Sequence, residues 1–404
     1  MRLEAVRELA AAYRSRYLTA SRPEKSRILD EFCRITGYHR KSANRLLLQD
    51  PDRRPKQRRG RPPVYRGGAL VSVLLTLWEA SGFICSKYLK AVLPLLMTKL
   101  EQKEGIVYGE ELRSQLLSMS ASTIDRLLRP HRDRRLPHRY IGRRVASDLS
   151  HKIAVHTFAE LRDLPVGHVE IDLVLHCGMT TKAFFLTTLV AVETISSWTI
   201  CIPVWGKGKE RVQGAIVRMR KEAPFELKGI HSDNGVEFIN ETLYQYTQKE
   251  GLEFSHSRPY HKNDQPRVEQ RNGSLVRRLV GYGRYSSKDA LASMERVYAL
   301  GCAHANFFRP TTKLLSSERH GARVAKRYDS PKTPYQRLLA TGALTVEQID
   351  SLAEQYAALN PLETQRQLTS ATKALWAQEA VDPASERMQR LREAAAQRCA
   401  AQSE

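Results

Sequence analysis

Between Val169 and Val204 the chain carries three closely spaced apolar runs: VEIDLVL (169–175), AFFLTTLVAV (183–192) and WTICIPV (198–204). Each is rich in Val, Ile, Leu, Thr and Phe and short enough for a strand. A polar helix is expected over Lys209–Lys221, a short strand ending at Gly229-Ile230-His231, a helix over Val236–Glu250, a strand over Leu252–His256 and a helix opening at Pro266. Three strands in a meander followed by alternating helix and strand predict an α/β fold, a mixed sheet with helices on both faces.

Acidic residues fall at telling places in that pattern. Asp172 stands mid-strand between Ile171 and Leu173, where Asp is disfavoured and a buried carboxylate is costly unless paired or bound to metal. An edge-strand Asp in solvent is the alternative. Asp233 follows the next strand in HSDNG (231–235), which alone is an ordinary turn. Glu269 lies in the first turn of the helix opened by Pro266. If the strand carrying Asp172 lies beside the strand ending at His231, both aspartates share one rim of the sheet, and the helix brings Glu269 there. Three such carboxylates suit two Mg²⁺ or Mn²⁺ ions roughly 3.5–4 Å apart, acting on an in-line phosphoryl displacement.

Helical periodicity bears on Glu269. At about 100° per residue, Arg267, Arg271 and Arg278 fall within roughly 40° of one another, with Arg277 nearby. Val268, Leu275, Val276 and Leu279 form the apolar face, and Glu269 projects from its edge, toward the sheet. The arginine stripe is either a solvated face or a contact for DNA phosphates.

The first third of the chain reads differently. Ser21 and Glu24 form a capping box before a helix with Ile28, Leu29 and Phe32 on its apolar face. After a Thr36-Gly37-Tyr38 turn, a second helix turns Ala43, Leu46 and Leu47 inward and His39, Arg40, Lys41, Asn44 and Arg45 outward. That is the helix-turn-helix pattern, or an ordinary helical hairpin. The segment RRPKQRRGRPPVYR (53–66) holds seven Lys/Arg, three Pro and no acid, as an extended linker would. Its Arg59-Gly60-Arg61-Pro62 core resembles an AT-hook, in which two arginines enter a narrow minor groove. A second helix-turn-helix candidate covers Ser118–Leu128, with Ser120 or Ser122 as cap, Ile124, Leu127 and Leu128 inward and Arg126 outward. Arg126–Arg144 then carries eight arginines against one acid.

Charge follows the same partition. The chain of 404 residues has a formal net charge of +22, yet residues 341–404 hold six Lys/Arg and nine Asp/Glu, so the excess lies upstream. Dense cationic segments attract phosphate backbones. Six scattered cysteines without CxxC fit neither a disulfide framework nor a zinc finger. With no signal peptide and no long apolar run, a cytoplasmic, nucleoid-associated protein that avoids membranes is expected. The glycine- and lysine-rich Trp205–Lys209 lacks nucleotide-loop spacing, and no HExxH occurs.

Taken together, strand-Asp172, strand-Asp233-Asn234-Gly235 and helix-Glu269, with 35 residues between the last two acids, resemble the catalytic core of DDE transposases and retroviral integrases. HSDNGVEF (231–238), YHKND (260–264), VEQRN (268–272), Ile28–Leu46, Asn306–Pro310 and YDSPKTPY (328–335) are similar to bacterial insertion-sequence transposases. The zinc-binding His/Cys pairs of retroviral integrases are absent. The resemblance implies a ribonuclease H-like catalytic core at 160–306. Before it are expected a helix-turn-helix domain (1–52), a basic linker (53–68) and a second helical DNA-binding domain (69–145). A basic connector (307–345) and a helical tail (346–404) are expected after it. It implies Asp172, Asp233 and Glu269 as catalytic metal ligands, Lys262 and Asn263 as DNA-positioning groups, and a homo-oligomer on DNA. The implied activity is cleavage at transposon terminal repeats and 3′-OH strand transfer into target DNA. A nuclease of the same fold, or a transposase-derived DNA-binding regulator, is the alternative.

Overall fold

The computed structural model describes residues 3–48, 65, 67–132, 154–155, 164–235, 237–258, 265–320 and 323–381. The AT-hook-like Arg59 and Arg61, the loop residues Lys262 and Asn263, and the arginine-rich stretch beyond residue 132 lie outside the described residues. The chain divides into two compact units, Met1–Val64 and Tyr65–Glu404.

The first unit is three helices, α1 (Leu3–Thr19), α2 (Arg22–Thr36) and α3 (Arg40–Leu48). The expected start of α2 is present: the Ser21 amide and hydroxyl donate to Glu24 Oε2 at 2.9 and 2.8 Å. Gly37 ends it in the left-handed region, φ 73°, and donates its N–H to the Cys33 carbonyl. Ile28, Leu29 and Phe32 meet Ala43 and Leu47 in a core closed by Val6, Ala10 and Tyr17 of α1. Tyr17 also donates to Asn44 Oδ1 at 2.6 Å, which draws Asn44 toward α1 rather than leaving it outward.

In the second unit, four helices come first: α4 (Gly68–Ala80), α5 (Ser86–Glu104), α6 (Glu110–Ser118) and α7 (Ala121–Leu128). Ser120 caps α7 by accepting the Thr123 N–H at 3.1 Å, and Ile124 and Leu128 are buried as expected. The apolar faces of α4 to α7 belong to the same buried cluster as one face of the sheet, so this segment shares its core with the residues that follow.

The sheet contains β1 (Ala154–Val155), β2 (His168–Leu175), β3 (Thr187–Glu193), β4 (Thr199–Val204), β5 (Gly229–Ser232) and β6 (Glu253–His256), in the order β1-β6-β5-β2-β3-β4. β2, β3 and β4 form an antiparallel meander, and β5 and β6 add in parallel beside β2. This is the mixed sheet of a ribonuclease H-like fold. β3 starts later than its sequence suggests, because the Leu186 amide leaves the ladder and donates to the Tyr285 carbonyl at 2.7 Å. α8 (Lys209–Glu222) and α9 (Glu241–Lys249) follow β4 and β5. α9 begins at Glu241 because Asn240 caps it, accepting the Leu243 N–H at 3.0 Å.

Strand alternation sorts the two faces. Ile171, Leu173, Leu189 and Ala191 meet Val212, Ile216 and Met219 of α8. Val174, Val190 and Val192 meet the opposite layer. That layer holds α10 (Pro266–Arg271), a π-helical turn over Asn272–Val276, α11 (Arg277–Val280) and α12 (Lys288–Phe308). Beyond it come a hairpin, β7 (Leu314–His320) with β8 (Arg323–Tyr328), and helices α13 (Pro334–Leu339), α14 (Val346–Ala358) and α15 (Pro361–Trp376). α15 places Leu368, Ala371 and Leu375 in the second core. No helix among the described residues is long and apolar enough to cross a membrane.

The edge strand β4 is closed by a side chain. Asn306, buried near the end of α12, accepts the Thr199 N–H and donates to the Thr199 carbonyl, both at 2.9 Å. It thereby stands in for a neighbouring strand. Asn306→Ala is expected to leave both groups unsatisfied and cost about 2–4 kcal/mol of stability, read from urea unfolding of the full chain. Asn306→Asp, which sets a buried carboxylate oxygen against the Thr199 carbonyl, should destabilise at least as much as Asn306→Ala.

Candidate active site

The parallel register pairs Glu170 of β2 with His231 of β5. Two residues further along, β2 reaches Asp172 and the end of β5 reaches Asp233, so the two aspartates come from adjacent strands, as the sequence pattern requires. Asp172 is partly exposed and Asp233 is buried.

Each aspartate is oriented by local donors. Asp172 Oδ2 accepts from Asn272 Nδ2 at 2.7 Å, and Oδ1 accepts the Leu173 N–H at 2.8 Å. Asp233 Oδ1 accepts the Gly235 N–H at 2.9 Å. A Cβ on Gly235 would meet that same oxygen at 2.9 Å and Glu237 Oε2 at 3.1 Å. A side chain here would push aside the ends of two carboxylates, including the one on Asp233, so glycine lets both lie close to the backbone. Asn234 Nδ2 donates to the Ser257 carbonyl at 2.9 Å.

Glu269 sits on α10, and α10 is tied to both aspartate-bearing strands. Alternation places Glu170 on the same face of β2 as Asp172, the face that α10 covers. There the fully buried Glu170 carboxylate accepts the N–H groups of Arg267 and Val268, each at 3.1 Å. These are orphan donors of the helix's first turn, where a negative charge is favoured. The Arg267 guanidinium closes the group with an ion pair at 2.5 Å. From β5, the His231 carbonyl accepts Gln265 Nε2 at 3.1 Å, immediately before the helix. Burial pushes the Glu170 carboxyl up, while Arg267 and the two amides draw it down.

Neither Glu170 nor Gln265 was singled out by the sequence pattern. The available signal was Glu170 itself, an acid on the buried face of a strand, two residues before another.

The arginines depart from expectation. They form no exposed stripe: Arg267 and Arg271, on regular helix, are drawn inward by acceptors on the sheet side, and the π-helical turn over Asn272–Val276 shifts Arg277 and Arg278 relative to them. Arg267 is spent on Glu170. Arg271 is buried, donates to the Ser197 carbonyl at 3.3 Å, and has its guanidinium pKa pushed down by burial. Arg278 donates to the Gly82 carbonyl at 2.9 Å, and Arg277 to the Leu175 carbonyl at 3.1 Å. The side chain of Glu269 is exposed rather than turned under the helix.

In the first unit, Lys41 and Arg45 are exposed on α3, whereas Arg40 pairs with Asp30 and donates to Ser26 Oγ at 2.5 Å, binding α3 to α2. Arg126 is exposed on α7.

Among the described residues, no three His, Cys, Asp or Glu side chains are gathered as a ready-made cation cluster. The fold brings the three acid-bearing elements together without drawing their carboxylates into one ligand set. The donor chemistry nevertheless fits a hard divalent cation, since every candidate ligand is oxygen. Two buried amide oxygens, Asn234 Oδ1 and Asn272 Oδ1, lie next to the aspartates without a hydrogen-bond partner among the described residues.

Residues 162–262 match the family described as integrase core domain. The chain is 40% identical over 332 residues to the uncharacterized protein y4rM of Sinorhizobium fredii (strain NBRC 101917 / NGR234), covering 82% of this chain and 94% of that relative. Solved structures with likeness include the catalytic core domain of BIV integrase, 19% identical with a TM-score of 0.30 over 44% of this chain and 96% of that one. Another is the HTLV-2 integrase catalytic core domain in complex with magnesium, 15% identical with a TM-score of 0.30 over 43% and 97%.

Glu170→Gln removes the charge that the α10 amides and Arg267 share. Leaving Arg267 without its partner should destabilise the full chain by about 3–5 kcal/mol, measured by urea unfolding. The double variant Glu170→Gln/Arg267→Gln, which leaves no unpaired charge, should recover part of that loss.

Proposed function

We propose, from the premise that this chain belongs to the DDE transposase/integrase superfamily of polynucleotidyl transferases, that it is a transposase which hydrolyses DNA at transposon ends and joins the resulting 3′-OH to target DNA. The observation that carries this reading is the attachment of α10, the Glu269 helix, to β2 through Glu170 and to β5 through Gln265. That attachment holds the helix that bears Glu269 against the two strands that bear Asp172 and Asp233.

Both reactions exchange one P–O bond for another. In the first, water attacks a phosphodiester and the 3′-oxygen leaves with a proton. In the second, that 3′-OH attacks a target phosphodiester and a target 3′-oxygen leaves. Two divalent cations, Mg²⁺ or Mn²⁺, held by Asp172, Asp233 and Glu269, would supply Lewis-acid activation and charge neutralisation for both. The protein's own contribution is positioning, which such chemistry needs most. Asn272 fixes one oxygen of Asp172. The Gly235 amide sets the direction of Asp233. Glu170 and Gln265 keep the Glu269 helix from sliding along the sheet.

DNA ends are assigned to the three-helix unit, whose α3 presents Lys41 and Arg45 to solvent, in the manner of a recognition helix. Arg126 on α7 is a second exposed candidate, and Lys262 and Asn263 are retained as DNA-positioning groups. Arg40 is given a structural role instead. A homo-oligomer on DNA follows from the need to hold two ends. Lys41→Ala and Arg45→Ala should each weaken binding to a terminal-repeat duplex by roughly 1–3 kcal/mol in a gel-shift titration. Arg40→Ala should mainly lower the unfolding midpoint.

The central test is cleavage of a terminal-repeat duplex in Mg²⁺ or Mn²⁺. Asp172→Asn, Asp233→Asn and Glu269→Gln are each expected to lose several kcal/mol of transition-state stabilisation, a drop on the order of a thousandfold, with DNA affinity nearly unchanged. A variant that keeps cutting would remove its residue from the set.

A further inference from the structure

The segment expected to be a basic connector contains a hairpin that stands on a fixed root. At the root, Thr311 and Lys332 exchange backbone hydrogen bonds at 2.9 and 3.1 Å, and Asp329 Oδ1 accepts the Lys313 N–H at 2.6 Å. Largely buried Arg337 binds Asp329 at 2.6 Å and the Thr311 carbonyl at 2.7 Å. Tyr88 of α5 meets Thr312 Oγ1 at 3.0 Å, and Lys313 Nζ donates to the Thr194 carbonyl, just past β3, at 3.4 Å. Lys313 also feels the charge of Arg267, on the helix that carries Glu269. Thr194 in turn donates its N–H to the His168 carbonyl at 3.0 Å, so the root is anchored at the start of β2, on the strand that carries Asp172.

Beyond the root, both strands are open to solvent. Leu315, Val324 and Tyr328 are 59%, 45% and 47% exposed, and Ser317, Arg319, Ala325, Lys326 and Arg327 are exposed too. A two-stranded hairpin with neither face packed is marginal by itself in water, so this arm is built to be covered. Its charge says by what. From 314 to 328 the sequence holds four Lys/Arg against one acid. The register sorts them, because opposed residues share a face. Ser317 lies opposite Lys326 and Arg319 opposite Val324, which puts two cations and no acid on one face. Ser316 opposite Arg327, Glu318 opposite Ala325 and His320 opposite Arg323 make the other face, where two cations stand against one acid.

We propose that the β7–β8 hairpin is a DNA-binding ribbon whose Arg319–Lys326 face lies along the phosphate backbone of duplex DNA. The proposal rests on the transposase reading for its partner. A duplex major groove accepts a two-stranded ribbon, and phosphate contacts from such an arm fix the register of the duplex without reading its sequence.

The experiment is fluorescence anisotropy of the full chain on a random-sequence duplex, titrated with NaCl in the presence of EDTA so that no cutting occurs. Arg319→Ala/Lys326→Ala should flatten the salt dependence by about two units of slope and weaken binding at least tenfold at low salt, with an unchanged unfolding midpoint. Arg319→Glu/Lys326→Glu should weaken it further, and Glu318→Ala, on the other face, should not weaken it. A salt slope equal to that of the parent in the alanine pair overturns the proposal. So does a change in self-association by sedimentation with DNA affinity intact, which would assign the ribbon to a second copy of this chain. Glu269→Gln, run alongside, separates the two readings. Its DNA affinity and slope should match the parent whatever its cutting activity, so a failure of the transposase chemistry leaves the ribbon result standing.

Discussion

One buried carboxylate holds the layer of the candidate site together. Glu170 lies fully inside the sheet, and three N–H donors from α10 converge on it. Burying an ion is tolerable only when its lone pairs are filled by good donors. Here the first turn of a helix supplies two of them and its own arginine the third. The result is a helix whose start is pinned within two residues of Asp172. With Gln265 holding the same turn to β5, the position of Glu269 follows from two hydrogen-bonded struts rather than from loop geometry.

The surrounding charges obey the same logic. An arginine beside this helix finds a carboxylate or a carbonyl: Glu170 for Arg267, Ser197 for Arg271, Leu175 for Arg277, Gly82 for Arg278. The Gly82 carbonyl belongs to the turn between α4 and α5, so the helical segment before the sheet is joined to the Glu269 layer by a polar link and to the other face of the sheet by a shared apolar core. Free cationic surface is displaced outward, to α3 in the first unit, to Arg126 on α7 and to the β7–β8 hairpin. Among the described residues the cations around this layer thus divide between internal fastening and exposed surface, and the divider is whether a packed element supplies an acceptor.

Much of the architecture follows from the sequence alone, because its causes are local. The Ser21–Glu24 start of α2, the left-handed Gly37, the Ser120 cap of α7, the apolar runs of β2 to β4 and the Pro266 helix start each depend on residues a few positions apart. The mixed sheet was legible from the order of these elements, and the relation to integrase cores from the order and spacing of Asp172, Asp233 and Glu269, a pattern matched along the chain rather than a local cause. What tertiary structure alone decided are the fates of groups whose partners lie far away in the chain. Glu170 meets an arginine 97 residues on, and Asn306 finishes an edge strand 107 residues back. The π-helical turn over Asn272–Val276 shifts Arg277 and Arg278 away from the line a regular helix would have given them. No periodicity announces such pairings, since burial of a charge is set by what packs over it, and that is a property of the assembled layers rather than of any window of sequence.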